Sequence, residues 1–69
     1  MTYGELTRKL RRLGFQLYRR GRGSHEIWWD PSTRVFTTIS AHKDREIPKG
    51  TLADLLKQLD RTIEDLRRE

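Results

Sequence analysis

Two stripes of apolar residues at helical spacing, one near each end of the chain, most constrain how this sequence can fold. The first stripe consists of Tyr3, Leu6, Leu10 and Leu13. Residues three or four positions apart share one face of a helix, so this stripe predicts an amphipathic helix. Thr2 and Glu5 have the spacing of a capping box and predict its start. Gly14 predicts its end, because glycine readily takes the left-handed conformation that terminates helices.

The second stripe lies in the C-terminal third of the chain and consists of Leu52, Leu55, Leu56, Leu59, Ile63 and Leu66. Thr51 and Asp54 predict the start of a helix there by side-chain capping. Thr62 and Asp65 have the spacing of a second cap, which indicates a separate short helix. We therefore expect a break at residues 60–61, although an uninterrupted helix fits the stripe as well.

Between the stripes lie three segments with the composition of strands, over residues 15–20, 25–29 and 34–40. They are rich in aromatic and β-branched residues, which pack well in sheets. The turn at 21–24 contains two glycines and the turn at 30–33 contains a proline, so both are expected to be tight. Short turns between successive strands predict an antiparallel meander, followed by a polar loop over residues 41–50.

Amphipathic helices must cover one face of so small a sheet, which predicts an α+β fold in two layers. The order helix, three-stranded antiparallel sheet, helix matches that of double-stranded-RNA-binding domains. A chain of 69 residues buries only about 60% of the surface that its unfolded form exposes, so we expect a single domain over residues 1–69. Its chemistry must then take place on a surface or in a shallow groove.

The composition limits where the protein acts and what it binds. The absence of cysteine excludes disulfides and thiolate metal sites and fits a cytoplasmic protein. No apolar run approaches the roughly 20 residues needed to cross a bilayer, so we expect no membrane partner. Fifteen Lys and Arg residues against ten Asp and Glu give a net charge of +5, which favours a polyanionic partner such as RNA. The alternative is the charged, solvated surface of a heat-adapted protein.

Two stretches carry a resemblance to a known family. The first contains Gly14-Phe15, Gly23-Ser24-His25 and Trp28. The second contains Thr37-Thr38-Ile39, His42, Ile47-Pro48-Lys49-Gly50-Thr51-Leu52 and the following Leu55, Leu56, Lys57 and Gln58. In both, and over nearly its whole length, the chain resembles the HicA family of mRNA interferase toxins. The resemblance implies that it cleaves RNA and is neutralised by a HicB-like antitoxin protein that covers the active surface.

The resemblance implies that His25 is the catalytic residue, and the chemistry of imidazole suits that role. An imidazole that titrates near neutrality can exchange protons during phosphodiester cleavage. RNA supplies its own nucleophile, the 2′-OH, so we expect no metal and no cofactor. His42 is a possible second acid–base group. The alternatives are that His25 only packs at the start of its strand and that His42 is a solvated loop residue.

Basic and hydroxyl side chains near the two histidines are candidates for RNA binding, because guanidinium and ammonium groups bind phosphates. These candidates are Arg19, Arg20, Arg22, Ser24, Lys43 and Lys49. Each of the basic residues is equally well explained as surface charge. Two histidines without carboxylates at ligand spacing do not predict a metal site.

Trp28 and Trp29 are neighbours in a predicted strand and must therefore point to opposite faces of the sheet. Ile27 favours burial of Trp29, whereas the family pattern emphasises the position of Trp28, so the sequence does not decide which indole is exposed. Two other functions fit the same residues. One is a non-catalytic RNA-binding module, and the other is a protein-interaction domain that uses the leucine stripe and the tryptophans.

Overall fold

The computed structural model describes residues 1–42 and 45–69. Its elements are α1 (Tyr3–Arg12), β1 (Gln16–Arg20), β2 (His25–Trp29), β3 (Phe36–Ser40), α2 (Lys49–Gln58) and α3 (Ile63–Arg67). The three strands form one sheet in the order β1-β2-β3, and both neighbouring pairs are antiparallel. The predicted α+β fold, with a helix, a three-stranded meander and C-terminal helices, is confirmed.

Helix α1 begins and ends where its sequence signals predict. The backbone N–H of Glu5 donates to the Thr2 hydroxyl, and the Glu5 carboxylate accepts from the backbone N–H of Thr2, each at 3.2 Å. This reciprocal pair satisfies two N–H groups that have no partner inside the helix. After the C-cap, Gly14 has a φ of 99°, the left-handed conformation that its identity predicts.

Helix α2 begins earlier than predicted, so the expected cap at Thr51 and Asp54 is wrong. The N-cap is Pro48, and it makes no side-chain capping hydrogen bond. Its carbonyl instead accepts the first helical hydrogen bond, from the backbone N–H of Leu52 at 2.9 Å. Lys49 consequently lies in the first turn of α2 and not in the preceding loop. Proline can take this position because its φ of −56° suits a helix entrance.

The break between α2 and α3 is confirmed. Asp60 has a φ of 59°, and the N–H of Arg61 donates to the Leu56 carbonyl at 2.9 Å, which closes α2 with a Schellman motif. Thr62 and Asp65 then form the predicted capping box of α3. Within residues 1–42 and 45–69, no helix combines the length and the apolar composition that crossing a membrane requires.

Two strands are shorter than predicted. β1 begins at Gln16, one residue later than expected, and β3 begins at Phe36 and not at residue 34. The second difference follows from the turn, where Arg34 takes a φ of 62° and its N–H donates to the Asp30 carbonyl at 2.7 Å. The hydroxyl and backbone N–H of Ser32 both donate to the Asp30 side chain, which lowers the pKa of that carboxyl.

A β-bulge in β1 changes which side chains face outward. Leu17 pairs with Trp28 and Arg19 pairs with Ile27, so Tyr18 is an extra residue between two register pairs. At a bulge, two residues oppose one on the neighbouring strand, and the usual alternation is interrupted. Tyr18 and Arg19 therefore lie on the same face of the sheet.

The two faces of the sheet have different environments. The covered face, which packs against the helices, consists of Leu17, Arg20, Glu26, Trp28, Thr37 and Ile39. The open face, which no element covers in the described chain, consists of Gln16, Tyr18, Arg19, His25, Ile27, Trp29, Phe36, Thr38 and Ser40. The core lies between the covered face and the leucines of both predicted stripes.

A buried carboxylate lies on the covered face. Glu26 is 5% exposed and accepts hydrogen bonds from the Tyr3 hydroxyl and, at 3.1 Å, from Trp28 Nε1. Its remaining oxygen is 3.9 Å from the guanidinium of Arg20. Burial and the hydrogen bond to Glu26 raise the pKa of Tyr3 to about 12.

Candidate active site

Two predicted site residues, Ser24 and His42, meet at one end of the open face. His25 is the first residue of β2 and Ser40 is the last residue of β3, and the two are register partners. The Ser24 hydroxyl lies 3.2 Å from Nε2 of His42 and 3.4 Å from the Ser40 hydroxyl. We call the group Ser24, His25, Ser40 and His42 the His25 site. The site contains both histidines of the chain, because Ser24 precedes His25 in the sequence and its hydroxyl contacts His42.

The glycine-rich turn fixes the position of His25. Gly23 has a φ of 59°, and the turn closes when the His25 N–H donates to the Arg22 carbonyl at 3.0 Å. The N–H of Gly21 donates in turn to the His25 carbonyl at 2.8 Å. A Cβ atom on Gly21 would lie 3.5 Å from that of His25, an ordinary van der Waals contact, so Gly21 lies directly beside His25. The side chain of His25 is exposed and accessible to a polymer substrate.

His42 is held close to the turn by the backbone. The N–H of Ala41 donates to the Ser24 carbonyl at 2.7 Å, which extends the pairing of β2 and β3 by one step. The imidazole of His42 therefore reaches the hydroxyl of the residue that precedes His25. A cavity of about 240 Å³ lies beside it, between β3 and the start of α2, and its walls include Arg45 and Thr51.

The predicted RNA-binding residues divide between the two faces. Arg19 lies on the open face with His25, and Arg22 is exposed in the turn beside it. Arg20 lies on the covered face near Glu26, with most of its side chain in solvent.

Of the two predicted lysines, the structure describes Lys49, which does not lie beside His25. Lys49 lines a groove between α2 and α3, away from the cavity beside His42. Lys43 lies outside the described residues. Among the residues that are described, no three His, Asp or Glu side chains form a group that could hold a metal ion.

A comparison with protein families identifies the chain. A family profile described as the HicA toxin of bacterial toxin-antitoxin matches residues 3–60. The chain belongs to the HicA family. It is accordingly a toxin of a toxin–antitoxin system, and an antitoxin partner is implied. No curated protein matches, and no solved structure matches.

The HicA match includes the whole His25 site and every predicted RNA-binding residue. It extends from the start of α1 to Asp60, where the left-handed residue closes α2. Helix α3 lies beyond the matched residues. It still contributes to the HicA fold, because Leu66 is fully buried in the core and the Leu66 carbonyl accepts from the Lys9 side chain at 3.2 Å.

The open face also carries an aromatic cluster that was not predicted from the sequence. Tyr18, Trp29 and Phe36 come from three different strands, and their ring centroids lie 4.7 to 5.3 Å apart. Trp28 is buried on the covered face, so Trp29 is the more exposed indole. Ile27 does share a face with Trp29, but that face is the open one. The alternation of Trp29 and Ile27 was visible in the sequence, whereas the bulge that brings in Tyr18 was not.

Proposed function

We propose that this HicA protein is an endoribonuclease that cleaves mRNA in the cytoplasm, with His25 as its catalytic residue. The observation that carries the proposal is the His25 site, in which an exposed imidazole lies at the end of an open sheet face beside Ser24, Ser40 and His42. A toxin with a long polymeric substrate needs an accessible site of this kind, and a domain of this size has no room for an enclosed one.

The reaction requires two proton transfers. His25 accepts the proton of a ribose 2′-OH, whose oxygen attacks the adjacent phosphorus as the bond to the 5′-oxygen breaks. A second group protonates the departing 5′-oxygen, so the products are a 2′,3′-cyclic phosphate and a free 5′-OH. His42 is our candidate for that acid, because its imidazole contacts the hydroxyl of Ser24, the residue that precedes His25 in the chain. The nucleophile belongs to the RNA, so this scheme needs neither a metal nor a cofactor.

Positive charge must stabilise the phosphorane that forms during the attack. We assign this role to Arg22, in the turn beside His25, and phosphate binding along the open face to Arg19. Ser24 directly precedes His25 in the chain, and we assign its hydroxyl as a further phosphate contact. Arg20, Lys43 and Lys49 remain predictions as contacts to more distant parts of the RNA.

We propose that the antitoxin is a HicB-like protein that covers the His25 site. An uninhibited ribonuclease would degrade the messages of its own cell, so the inhibitor must block access to His25. The net charge of +5 favours an antitoxin surface with acidic groups facing Arg22. Co-purification of the two proteins with cleavage unimpaired would contradict inhibition by occlusion.

The test is His25→Ala, assayed on RNA in the presence of EDTA. We expect cleavage to fall by about 10²–10⁴-fold, which is the usual contribution of a general acid or base. His42→Ala should also slow cleavage if His42 is the acid. Circular dichroism serves as the control for folding, since the exposed His25 side chain makes little contribution to the core.

Two results would overturn the proposal. A folded His25→Ala protein that cleaves RNA at the native rate would exclude His25 as the catalytic residue. If the unchanged protein retains RNA in a salt-dependent manner but never cleaves it, the alternative of a non-catalytic RNA-binding module replaces the nuclease.

A further inference from the structure

The aromatic cluster on the open face has no role in the scheme above. Tyr18 is 49% exposed and Phe36 is 42% exposed, and the two rings lie side by side and do not stand singly on the surface. With Trp29 between them on β2, the three rings form a patch across all three strands. Contiguous exposed apolar patches usually mark binding surfaces.

The charges around the cluster indicate what it binds. None of the nine open-face residues is acidic, and the face carries Arg19 and His25. All nine lie in the described part of the chain. The bulge in β1 contributes both Tyr18 and Arg19, so an aromatic ring and a guanidinium are presented side by side. Flat rings beside positive charge are the combination with which proteins hold unpaired nucleotides, by stacking on bases and binding the phosphates between them.

The cluster is also continuous with the proposed active site. Trp29 and His25 are the two ends of β2 and share the open face. They are four residue steps apart along an extended strand, or about 13 Å, a distance that a few unpaired nucleotides span. Ile27 and Thr38 lie between them on the open face. A strand of RNA can therefore cross the cluster and still present a phosphate to His25.

We infer that Tyr18, Trp29 and Phe36 form a stacking platform for unpaired RNA bases on one side of the scissile phosphate. The inference rests on the proposed nuclease function and gives its substrate a definite form, a single-stranded stretch of RNA. A duplex cannot use the platform, because its bases are already stacked and paired inside the helix. Cleavage accordingly requires unpaired nucleotides beside the cut.

The test measures RNA binding without cleavage, in a His25→Ala background. The probes are an unstructured oligoribonucleotide and the same sequence annealed to its complement. Tyr18→Leu and Phe36→Leu keep apolar bulk but remove the rings, so each should weaken single-strand binding roughly 5- to 100-fold. Duplex binding, which depends on phosphate contacts alone, should change less than about twofold for either variant.

Ile63→Ala is the matched control. Ile63 is 38% exposed on α3 and lies outside the open face, so its removal should leave both affinities unchanged. Equal losses for single-stranded and duplex RNA would overturn the inference, as would unchanged single-strand affinity in both ring variants. The inference is also overturned if the ring variants bind RNA normally but lose the antitoxin, because the face is then a protein interface.

Cleavage by the protein with His25 intact is measured in parallel. Absence of cleavage would overturn the proposed nuclease but leave the binding comparison readable, so the two failures are distinguishable. With cleavage present, an RNA hairpin should be cut in its loop and resist cutting in its stem. Cutting in the stem at the same rate would contradict the platform.

Discussion

The covered and open faces of the sheet are made by alternate residues of the same strands, yet they do different work. On the covered face, Trp28 and Glu26 are buried and hydrogen-bonded to each other, and the helices exclude water from them. On the open face, His25 and the aromatic cluster remain in contact with solvent. One short strand thus supplies both a core and an exposed surface, because successive side chains point in opposite directions.

The largest expected difference between the faces concerns the two adjacent tryptophans. Trp28 is 1% exposed, and the guanidinium of Arg11 lies 4.8 Å from its ring centre. Trp28→Ala should therefore lower the free energy of unfolding by about 3–5 kcal/mol, the usual cost of removing a buried aromatic side chain. Trp29→Ala should cost roughly half as much or less, since its ring is only partly buried. Urea denaturation measures the free energy of unfolding of both variants, and equal losses would contradict the predicted difference between the faces.

A smaller difference is expected between Thr37 and Thr38. The hydroxyl of Thr37 is buried on the covered face and donates to Gln58 Oε1 at 2.7 Å, which ties β3 to the end of α2. Thr37→Val should cost about 1 kcal/mol, the typical net value of one hydrogen bond. Thr38→Val, on the open face, should change the free energy of unfolding by less than about 0.5 kcal/mol. Thermal denaturation of the two variants measures both changes, and a larger loss of stability for Thr38→Val would contradict the prediction.

Two neighbouring arginines on different faces are expected to contribute differently to RNA binding. Arg19 lies on the open face, whereas Arg20 lies on the covered face with Glu26 nearby. Arg19→Gln should weaken binding a few-fold and reduce the slope of log affinity against log salt by about 0.7–1, the value for one phosphate contact. We expect a smaller change for Arg20→Gln. An equal or larger loss at Arg20 would mean that RNA also crosses the strand edge toward the helices.

A pH dependence is also expected from the covered face. The pKa of Tyr3 is raised to about 12 by burial and by its hydrogen bond to Glu26, from an ordinary value of 10.0. Unfolded tyrosine loses its proton first as pH rises, so the folded state loses this contribution between pH 10 and 12. Stability should fall over that range in the unchanged protein and fall less in Tyr3→Phe. Parallel curves would show that the Tyr3–Glu26 bond contributes nothing.

Local signals in the sequence predicted much of the fold. The capping boxes at Thr2 and Thr62, the left-handed Gly14 and the three-strand meander are all present. Each depends on residues within a few positions of one another, so the sequence contains the whole interaction. The predicted start of α2 at Thr51 is wrong, because the Pro48 carbonyl accepts the first helical hydrogen bond and no side chain caps the helix.

The motif around His25 predicted the HicA family, and the profile match confirms it. The roles of His25 and the basic residues remain proposals. The sequence did not contain the contact between His42 and Ser24, because residues 18 positions apart meet only through the pairing of β2 and β3. Nor did the sequence show that Arg19 and Arg20 lie on different faces of the sheet, because the two neighbouring arginines have the same local signals.

Spacing along the chain is enough to predict the order of the elements, the capping boxes of α1 and α3 and the family. Tertiary structure alone decided which tryptophan is buried, because two adjacent indoles in a strand have the same local preferences. The helices choose between them by covering one face, and they cover Trp28. The bulge at Tyr18 likewise depends on pairing with a distant strand, and it completes an aromatic surface that no local pattern encodes.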